Sequence, residues 1–272
     1  RGPLDLKASI IEHQKLMHYY AERGIPVELN EPHHWGMRDA PDVVYIASAY
    51  LAAWNARSFG VKDYIAQMMF NSPSGCSDRM DLAKMLAILE MLAELENADF
   101  RIWRQTRTGL LSYPLEENAA RAHLAASISL QMALEPHIVH IVGHTEADHA
   151  ASAQDVIDAS RMARHVIDRA VRGKPNPLGD PRIQERKAHL IQETRLTLQA
   201  IQNLGQGSPQ DAFTDPETLA QAVKLGILDA PQLKNNAYAP GKIVTRIIDG
   251  ACDATDEHGN PISEAKRLAA YL

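Results

Sequence analysis

The sequence contains few cysteines, and their positions argue against a disulfide-linked protein and against a cysteine-based zinc protein. Only Cys76 and Cys252 occur in 272 residues, and they lie far apart in the chain. A disulfide framework or a cysteine-based zinc site needs more cysteines at closer spacing. Such sparse usage is typical of a reducing compartment, so we expect a cytoplasmic protein.

The sequence also lacks a dominant charge of one sign and a long apolar run. The formal net charge is −6 and no basic run occurs, so we expect no nucleic-acid partner. No apolar stretch approaches the roughly 20 residues that span a bilayer, so we expect no membrane association. The chain opens on Arg1-Gly2-Pro3, with no signal peptide and no Met, and we expect a truncated or processed product.

Glycine-rich phosphate loops are absent after every predicted strand, which argues against a dinucleotide-binding or P-loop fold. Apolar patterning instead predicts a strand, a polar loop and a helix in four successive repeats. The predicted strands are residues 25–30, 63–70, 100–104 and 137–143. The predicted helices are residues 5–23, 42–58, 78–97, 115–134 and 153–171, the third of them capped by Asp78. This order is typical of an α/β fold with a parallel sheet.

Polar side chains follow the predicted strands and suggest where a site lies. They are Glu31, His33, His34, Asn71, Arg104, Gln105, Arg107, His144, Glu146 and His149. In barrels the carboxyl ends of the strands form the catalytic face. We therefore expect residues 1–175 to be four β/α units, half of a (β/α)8 TIM-type barrel. A half-barrel leaves open strand edges, so we expect a second half-barrel on another chain or in a missing N-terminal segment.

Residues 176–272 have a different character from the repeats. Helices are predicted at 181–204 and 216–226, and one short strand at 242–248, with turn-rich sequence between them. We expect an α-helical and irregular C-terminal appendage packed on the barrel.

Several short motifs, taken in order, resemble one known family. They are Tyr20-Ala-Glu-Arg-Gly-Ile-Pro-Val27, Asn30-Glu-Pro32, Phe59-Gly-Val-Lys62, Tyr113-Pro114 with Glu116 and Glu117, Glu146-Ala147, Gly226-Ile-Leu-Asp-Ala-Pro231 and Asn236-Ala-Tyr-Ala-Pro-Gly-Lys242. This series resembles the C-terminal half of the large (epsilon) subunit of adenosylcobalamin-dependent glutamate mutase, also called methylaspartate mutase. The resemblance implies the C-terminal half of a TIM barrel that forms the substrate and adenosyl side of a B12 site.

The same resemblance implies an isomerase that acts by radical chemistry on a small amino-acid or carboxylic-acid substrate. It also implies a separate small cobalamin-binding subunit. The cobalt-ligating signature Asp-x-His-x-x-Gly is not found in this chain, because the nearest match, at Asp256, has Pro261 where the glycine belongs.

A second resemblance leaves another cofactor open. Thr145-Glu-Ala-Asp-His149 is similar to a segment in the large subunits of lysine and ornithine aminomutases, which use B12 together with pyridoxal phosphate (PLP). A non-catalytic subunit of a cobalamin enzyme is a further alternative, because the family's lysine is missing from the Val142-Gly143-His144 segment.

The glutamate mutase resemblance implies roles for several residues. Glu146 is expected to accept hydrogen bonds from the ribose hydroxyls of the adenosyl group, and His144 or His149 to donate in place of the missing lysine. A helix N-terminal carboxylate is the structural alternative for Glu146. Arg104 and Arg107 are predicted from their chemistry rather than from the resemblance, since the family has a histidine near Arg107: their guanidinium forks suit carboxylate, phosphate or the amide-bearing side chains of the corrin, or else they pair with Glu116 and Glu117.

Further cofactor or substrate contacts are predicted at Glu31, His33, Asn71 and Lys242. A metal site built on Glu31, His33 and His34 is weak, because adjacent histidines point apart on an extended chain. No metal site is therefore predicted.

Overall fold

The computed structural model describes residues 3–272, in which four strands form one parallel sheet. The strands are β1 (Val27–Glu28), β2 (Asp63–Phe70), β3 (Arg101–Thr108) and β4 (Ile138–His140), followed by an antiparallel hairpin of β5 (Thr245–Ile248) and β6 (Ala251–Ala254). The helices are α1 (Leu6–Ala21), α2 (Glu31–Gly36), α3 (Asp42–Ser58), α4 (Asp78–Ala93), α5 (Glu117–Gln131), α6 (Ala153–Val171), α7 (Pro181–Leu204), α8 (Pro216–Lys224) and α9 (Glu264–Arg267).

The predicted α/β fold with a parallel sheet is confirmed. The strands lie side by side in chain order, β1-β2-β3-β4, as consecutive units of a barrel do. Within residues 3–272 this sheet stays open, and the complete barrel remains a prediction.

Helices α3, α4 and α5 pack on one face of the sheet. Alternate side chains of β2, at Tyr64, Ala66, Met68 and Phe70, are buried in an apolar core that includes α3 and α4. The long helix α7 packs outside α3 and α4 and adds Leu190, Leu198 and Ile201 to the same core. The C-terminal part of the chain thereby lies against the helical layer.

The other face of the sheet carries the remaining alternate side chains, because successive residues of a strand point to opposite sides. On β2 and β3 these include Gln67, Met69, Gln105 and Arg107, and Glu28 of β1 reaches the two glutamines. We call this the inner face, since it would line a barrel. It is mostly polar.

Two predicted boundaries near the inner face are wrong. Residues 31–36, predicted as a polar turn, form helix α2, because Pro32 suits a first helical turn and Glu31 favours its positive end. The third strand continues from Arg104 to Thr108. Its polar residues suggested a loop, but they pair in parallel with Met68–Phe70, and Thr106 and Thr108 are buried.

Smaller differences follow from capping and edge positions. Ser77, not Asp78, caps α4, since its hydroxyl accepts from the Met80 N–H at 3.3 Å. The predicted fourth strand, residues 137–143, shortens to Ile138–His140, which pairs with β3 at the edge of the sheet. In the tail, Ala251–Ala254 completes a hairpin that was not predicted. None of the helices described between residues 3 and 272 is long and apolar enough to cross a membrane.

Candidate functional site

A carboxylate at the end of β1 joins three strands on the inner face. Gln105 Nε2 donates to Glu28 Oε2 at 2.8 Å, and Gln67 Nε2 donates to Glu28 Oε1. Gln67 and Gln105 are register partners on β2 and β3. The Glu28 carboxylate therefore accepts from two side-chain amides and links β1, β2 and β3 on the inner face.

Strand β1 is only two residues long, and two side chains take its place beside β2. His33 Nε2 donates to the Gln67 carbonyl at 3.2 Å, and the Met69 N–H donates to the Tyr45 hydroxyl at 3.1 Å. Both side chains are buried. His33, predicted as a cofactor contact, thus satisfies the backbone of β2 where β1 has ended.

Burial also fixes the charge of His33. It lowers the pKa of the imidazole to about 3, and the positive charge of Arg107 contributes in the same direction. The ring is therefore neutral near pH 7 and adds no positive charge to the site.

Arg107 is a charged side chain on the inner face that is partly buried and incompletely hydrogen-bonded. Its register partners are Met69 on β2 and His140 on β4, so it lies in the middle of the sheet. Its Nε is buried and has no hydrogen-bond partner among residues 3–272. Burial lowers the pKa of Arg107, while the negative charges of Glu146 and Glu28 act against that shift. A guanidinium in this position can accept a carboxylate or phosphate as its partner.

Glu146 lies in the turn that follows β4, beside a shallow cavity of about 290 Å³. Its backbone N–H donates to the Gly143 carbonyl at 3.2 Å, and its side chain is exposed. The carboxylate is free to accept hydrogen bonds from a ligand. It influences the pKa of Arg107, so the two predicted residues share one electrostatic environment.

The histidines on either side of Glu146 differ in exposure, and each lies within 4.0 Å of the Asp155 carboxylate. His144 is buried, its ring nitrogens have no hydrogen-bond partner in the described chain, and Nε2 lies 4.0 Å from Asp155 Oδ1. His149 is exposed and contacts Asp148 at 2.8 Å and Asp155 at 3.5 Å. The hydrogen bond to Asp148 raises the pKa of His149, and Asp155 contributes in the same sense. Both histidines border the Glu146 turn.

Arg104 lies on the opposite side of β3 from Arg107. Its Nε and Nη2 donate to the Glu135 carbonyl at 3.1 and 2.8 Å, beside the helical layer. The structure does not bring the two arginines together. Side chains alternate between the two faces of a strand, so residues that are three positions apart point to opposite faces. The alternative pairing with Glu116 and Glu117 is not seen among the described residues either. Glu116 caps α5 by accepting from the Asn118 and Ala119 N–H groups, and Glu117 contacts Arg121 at 2.9 Å.

Two other predicted contacts are engaged within the protein. Asn71 follows β2 with φ +58°, its N–H donates to the Asp81 carboxylate, and its Oδ1 accepts from Ser127 at 2.7 Å. Glu31 accepts from Trp35 Nε1 at 3.1 Å within α2. Asn71 is fixed at the carboxyl end of the sheet, whereas Glu31 has one carboxylate oxygen in a local helix contact.

Lys242 lines a different cavity, which shares no residue with the cavity beside Glu146. In the part of the chain that the structure describes, no group of three or more His, Cys, Asp or Glu is arranged to hold a metal ion.

Sequence reasoning missed four residues of the site: Glu28, Tyr45, Tyr113 and His140. Tyr113 donates its hydroxyl to the Val142 carbonyl at 2.9 Å and anchors the segment before Glu146. His140 is the register partner of Arg107. The available signal was the two-residue periodicity of a strand over residues 101–108. It would have placed Arg107 and Arg104 on opposite faces of the sheet.

No protein-family model matches the chain, and no curated protein matches it either.

Proposed function

We propose that this chain is a component of an adenosylcobalamin-dependent radical mutase similar to glutamate mutase, and that it forms the substrate and adenosyl side of the B12 site. One observation carries the proposal. Arg107, a half-buried guanidinium whose Nε has no partner within residues 3–272, lies on the inner face of a parallel sheet, and the exposed carboxylate of Glu146 follows the next strand. The four strands in chain order are consistent with half of a (β/α)8 barrel.

The donor and acceptor types present fit the cofactor. An exposed, unengaged carboxylate such as Glu146 suits two ribose hydroxyls, which both need acceptors. When bound, adenosylcobalamin supplies a reversible source of radical chemistry, which a protein alone cannot provide. The lower cobalt ligand and the rest of the barrel wall are assigned to partners: a small cobalamin-binding subunit and a second half-barrel.

The chain's own residues then bind and orient. Arg107 holds a carboxylate of a small amino-acid or carboxylic-acid substrate through its Nη groups, because an anionic partner stabilises a half-buried guanidinium. The neutral His33 keeps the local positive charge on Arg107 alone. Glu28, engaged by Gln67 and Gln105, keeps the strands beneath the substrate in fixed register.

Electron paramagnetic resonance tests the proposal. The chain is mixed with adenosylcobalamin and the small cobalamin-binding subunit of a glutamate mutase, and small amino acids and dicarboxylates are added in turn. We expect an organic radical signal with at least one substrate. Arg107→Met should abolish the signal, and Arg104→Met, on the other face of the same strand, should keep it. Cofactor binding without any radical would instead support a non-catalytic subunit.

The PLP-dependent aminomutase alternative is tested in the same mixture. A signal that appears with lysine or ornithine, and only after PLP is added, would favour that alternative. A signal independent of PLP favours the glutamate mutase-like function.

A further inference from the structure

A second and larger cavity, of about 710 Å³, lies between the C-terminal tail and the loops that follow β1 and β2. Asp39, Pro73 and Ser74 form one side of it, and residues of the segment 231–247 form the other. We call it the tail cavity. Its residues are not used by the function proposed above, apart from the predicted cofactor contact Lys242.

Positive charge is concentrated around the tail cavity. Its lining includes Lys234, Lys242 and Arg246 but a single carboxylate, that of Asp39. Asp39 is already engaged, since its Oδ2 accepts from Gln232 Nε2 at 2.5 Å. A second carboxylate, that of Asp229, lies directly behind the lining and accepts three backbone N–H groups, so three cations there stand against two carboxylates that are both engaged. Neighbouring like charges repel, and a bound anion would remove that repulsion.

The backbone that carries the two lysines is held in one arrangement. The buried carboxylate of Asp229 accepts three successive N–H groups, from Gly241, Lys242 and Ile243, at 2.9, 2.8 and 3.1 Å. Gly241 has φ +55°, and a Cβ there would lie 2.0 Å from the Lys234 backbone nitrogen. The turn at Gly241 therefore touches the backbone at Lys234, and the two lysines start from neighbouring points.

Two turns of the backbone form part of the lining. Asp39, at φ +59°, lies in the turn that ends α2, where the Ala40 N–H donates to the Trp35 carbonyl at 3.1 Å, and Asn235 has φ +67°. Asp and Asn adopt this left-handed conformation more readily than most residues with a side chain. The Thr245 hydroxyl donates to the Asp39 carbonyl at 2.8 Å and ties the hairpin to the first of these turns.

We propose that the tail cavity binds a small phosphorylated molecule, with Lys234 and Lys242 as its main contacts. Lysine ammonium groups bind phosphate as point charges, and the guanidinium of Arg246 in the same lining can bind a phosphate through two N–H groups. The Ser74 hydroxyl and the Asn235 amide, both in the lining, add the neutral donors that phosphate oxygens accept from. This site is independent of the radical chemistry proposed for the Arg107 side of the molecule.

Isothermal titration calorimetry of the full chain with pyrophosphate, glucose 6-phosphate and succinate tests the proposal. We expect the phosphorylated probes to bind. The double variant Lys234→Ala/Lys242→Ala should lower their affinity by about tenfold or more, because it removes charged hydrogen bonds. The matched control Lys62→Ala/Lys224→Ala removes two exposed lysines outside the cavity and should change the affinity little. An equal loss in the control would show nonspecific attraction and overturn the proposal.

Two further outcomes decide the ligand class. Restored binding in Lys234→Arg/Lys242→Arg would support a charge-based phosphate site. Succinate binding more tightly than both phosphorylated probes would overturn the phosphate assignment, as would the absence of any binding by the unaltered chain.

Discussion

At the scale of single residues, burial affects two basic side chains of the inner face in different ways. His33 loses its charge, since its pKa falls to about 3. Arg107 also has a lowered pKa, but a guanidinium starts from so high a value that it stays charged. Arg107 therefore remains charged beside Glu146 and Glu28 without a partner for its Nε among residues 3–272, and this underlies the proposed substrate contact.

The charge state of His33 predicts a dependence of stability on pH. Its folded pKa, about 3, lies below the unfolded value of 6.5, so between these values the unfolded chain binds more protons. The free energy of unfolding should accordingly fall as pH drops from 6.5 toward 3, by up to about 1.4 kcal/mol per pH unit from this group. Urea denaturation at several pH values measures the slope.

His33→Gln keeps an N–H donor for the Gln67 carbonyl and removes the titrating group. Its slope should be shallower than that of the unaltered chain, while His13→Gln, at an exposed position on α1, should leave the slope unchanged. If His33→Gln and the unaltered chain lose stability in parallel, another group is responsible.

Glu146→Gln tests the adenosyl contact at the same scale. We expect weaker binding of adenosylcobalamin, by about 1.5–3 kcal/mol for one charged hydrogen bond, and little change for methylcobalamin. Glu12→Gln, at an exposed position on α1 outside the lining of the cavity beside Glu146, serves as the control and should change neither affinity. Binding titrations followed by absorption, with the small subunit present, give both affinities. Equal losses for the two cofactors would mean that Glu146 acts on the fold.

At the scale of elements, Tyr45 on α3 replaces a missing strand partner of β2. Tyr45→Phe removes the acceptor of the Met69 N–H in a buried environment and should lower the free energy of unfolding by about 1–3 kcal/mol. Tyr19→Phe on the exposed side of α1 should change it by less than about 0.5 kcal/mol. Chemical denaturation compares the two variants, and similar small losses in both would show that the hydrogen bond contributes little.

Elements with a clear apolar pattern could be predicted from the sequence, and elements with polar buried positions could not. Strand β2 and helices α3, α6 and α7 have the predicted bounds, because β2 and α3 are apolar and buried over most of their length and α6 and α7 carry long helical repeats. The end of β3 was missed because Gln105 and Thr106 are polar residues that are buried where they pair with β2. Residue composition alone does not indicate that burial.

The site could be predicted in part for the same reason. Placing polar residues at strand ends identified Arg107 and Glu146, which share one environment. It also grouped Arg104 with them, although the pleat directs that side chain to the helical layer. The role of His33 depends on how early β1 ends, and no local pattern in residues 25–36 indicates that.

At the scale of the whole molecule, the parallel sheet has apolar side chains exposed near both of its edges. Ile138 on β4 and Val156 and Ile157 on α6 lie toward one end, and Leu16 and Tyr19 on α1 lie toward the other. Parallel sheets are stable when both faces are covered and their edges are paired or protected. The proposed function requires the same completion, since Arg107 and Glu146 form only one wall of a site.

The measurement that tests this central claim most directly is the mass of the purified chain in solution, combined with its thermal unfolding. We predict that the chain, 30.1 kDa by composition, is recovered with a second half-barrel or self-associates through its exposed edges. Size-exclusion chromatography with in-line mass determination should therefore give species heavier than 30.1 kDa. A monodisperse monomer of that mass that unfolds in one cooperative transition would contradict the half-barrel and the function built on it.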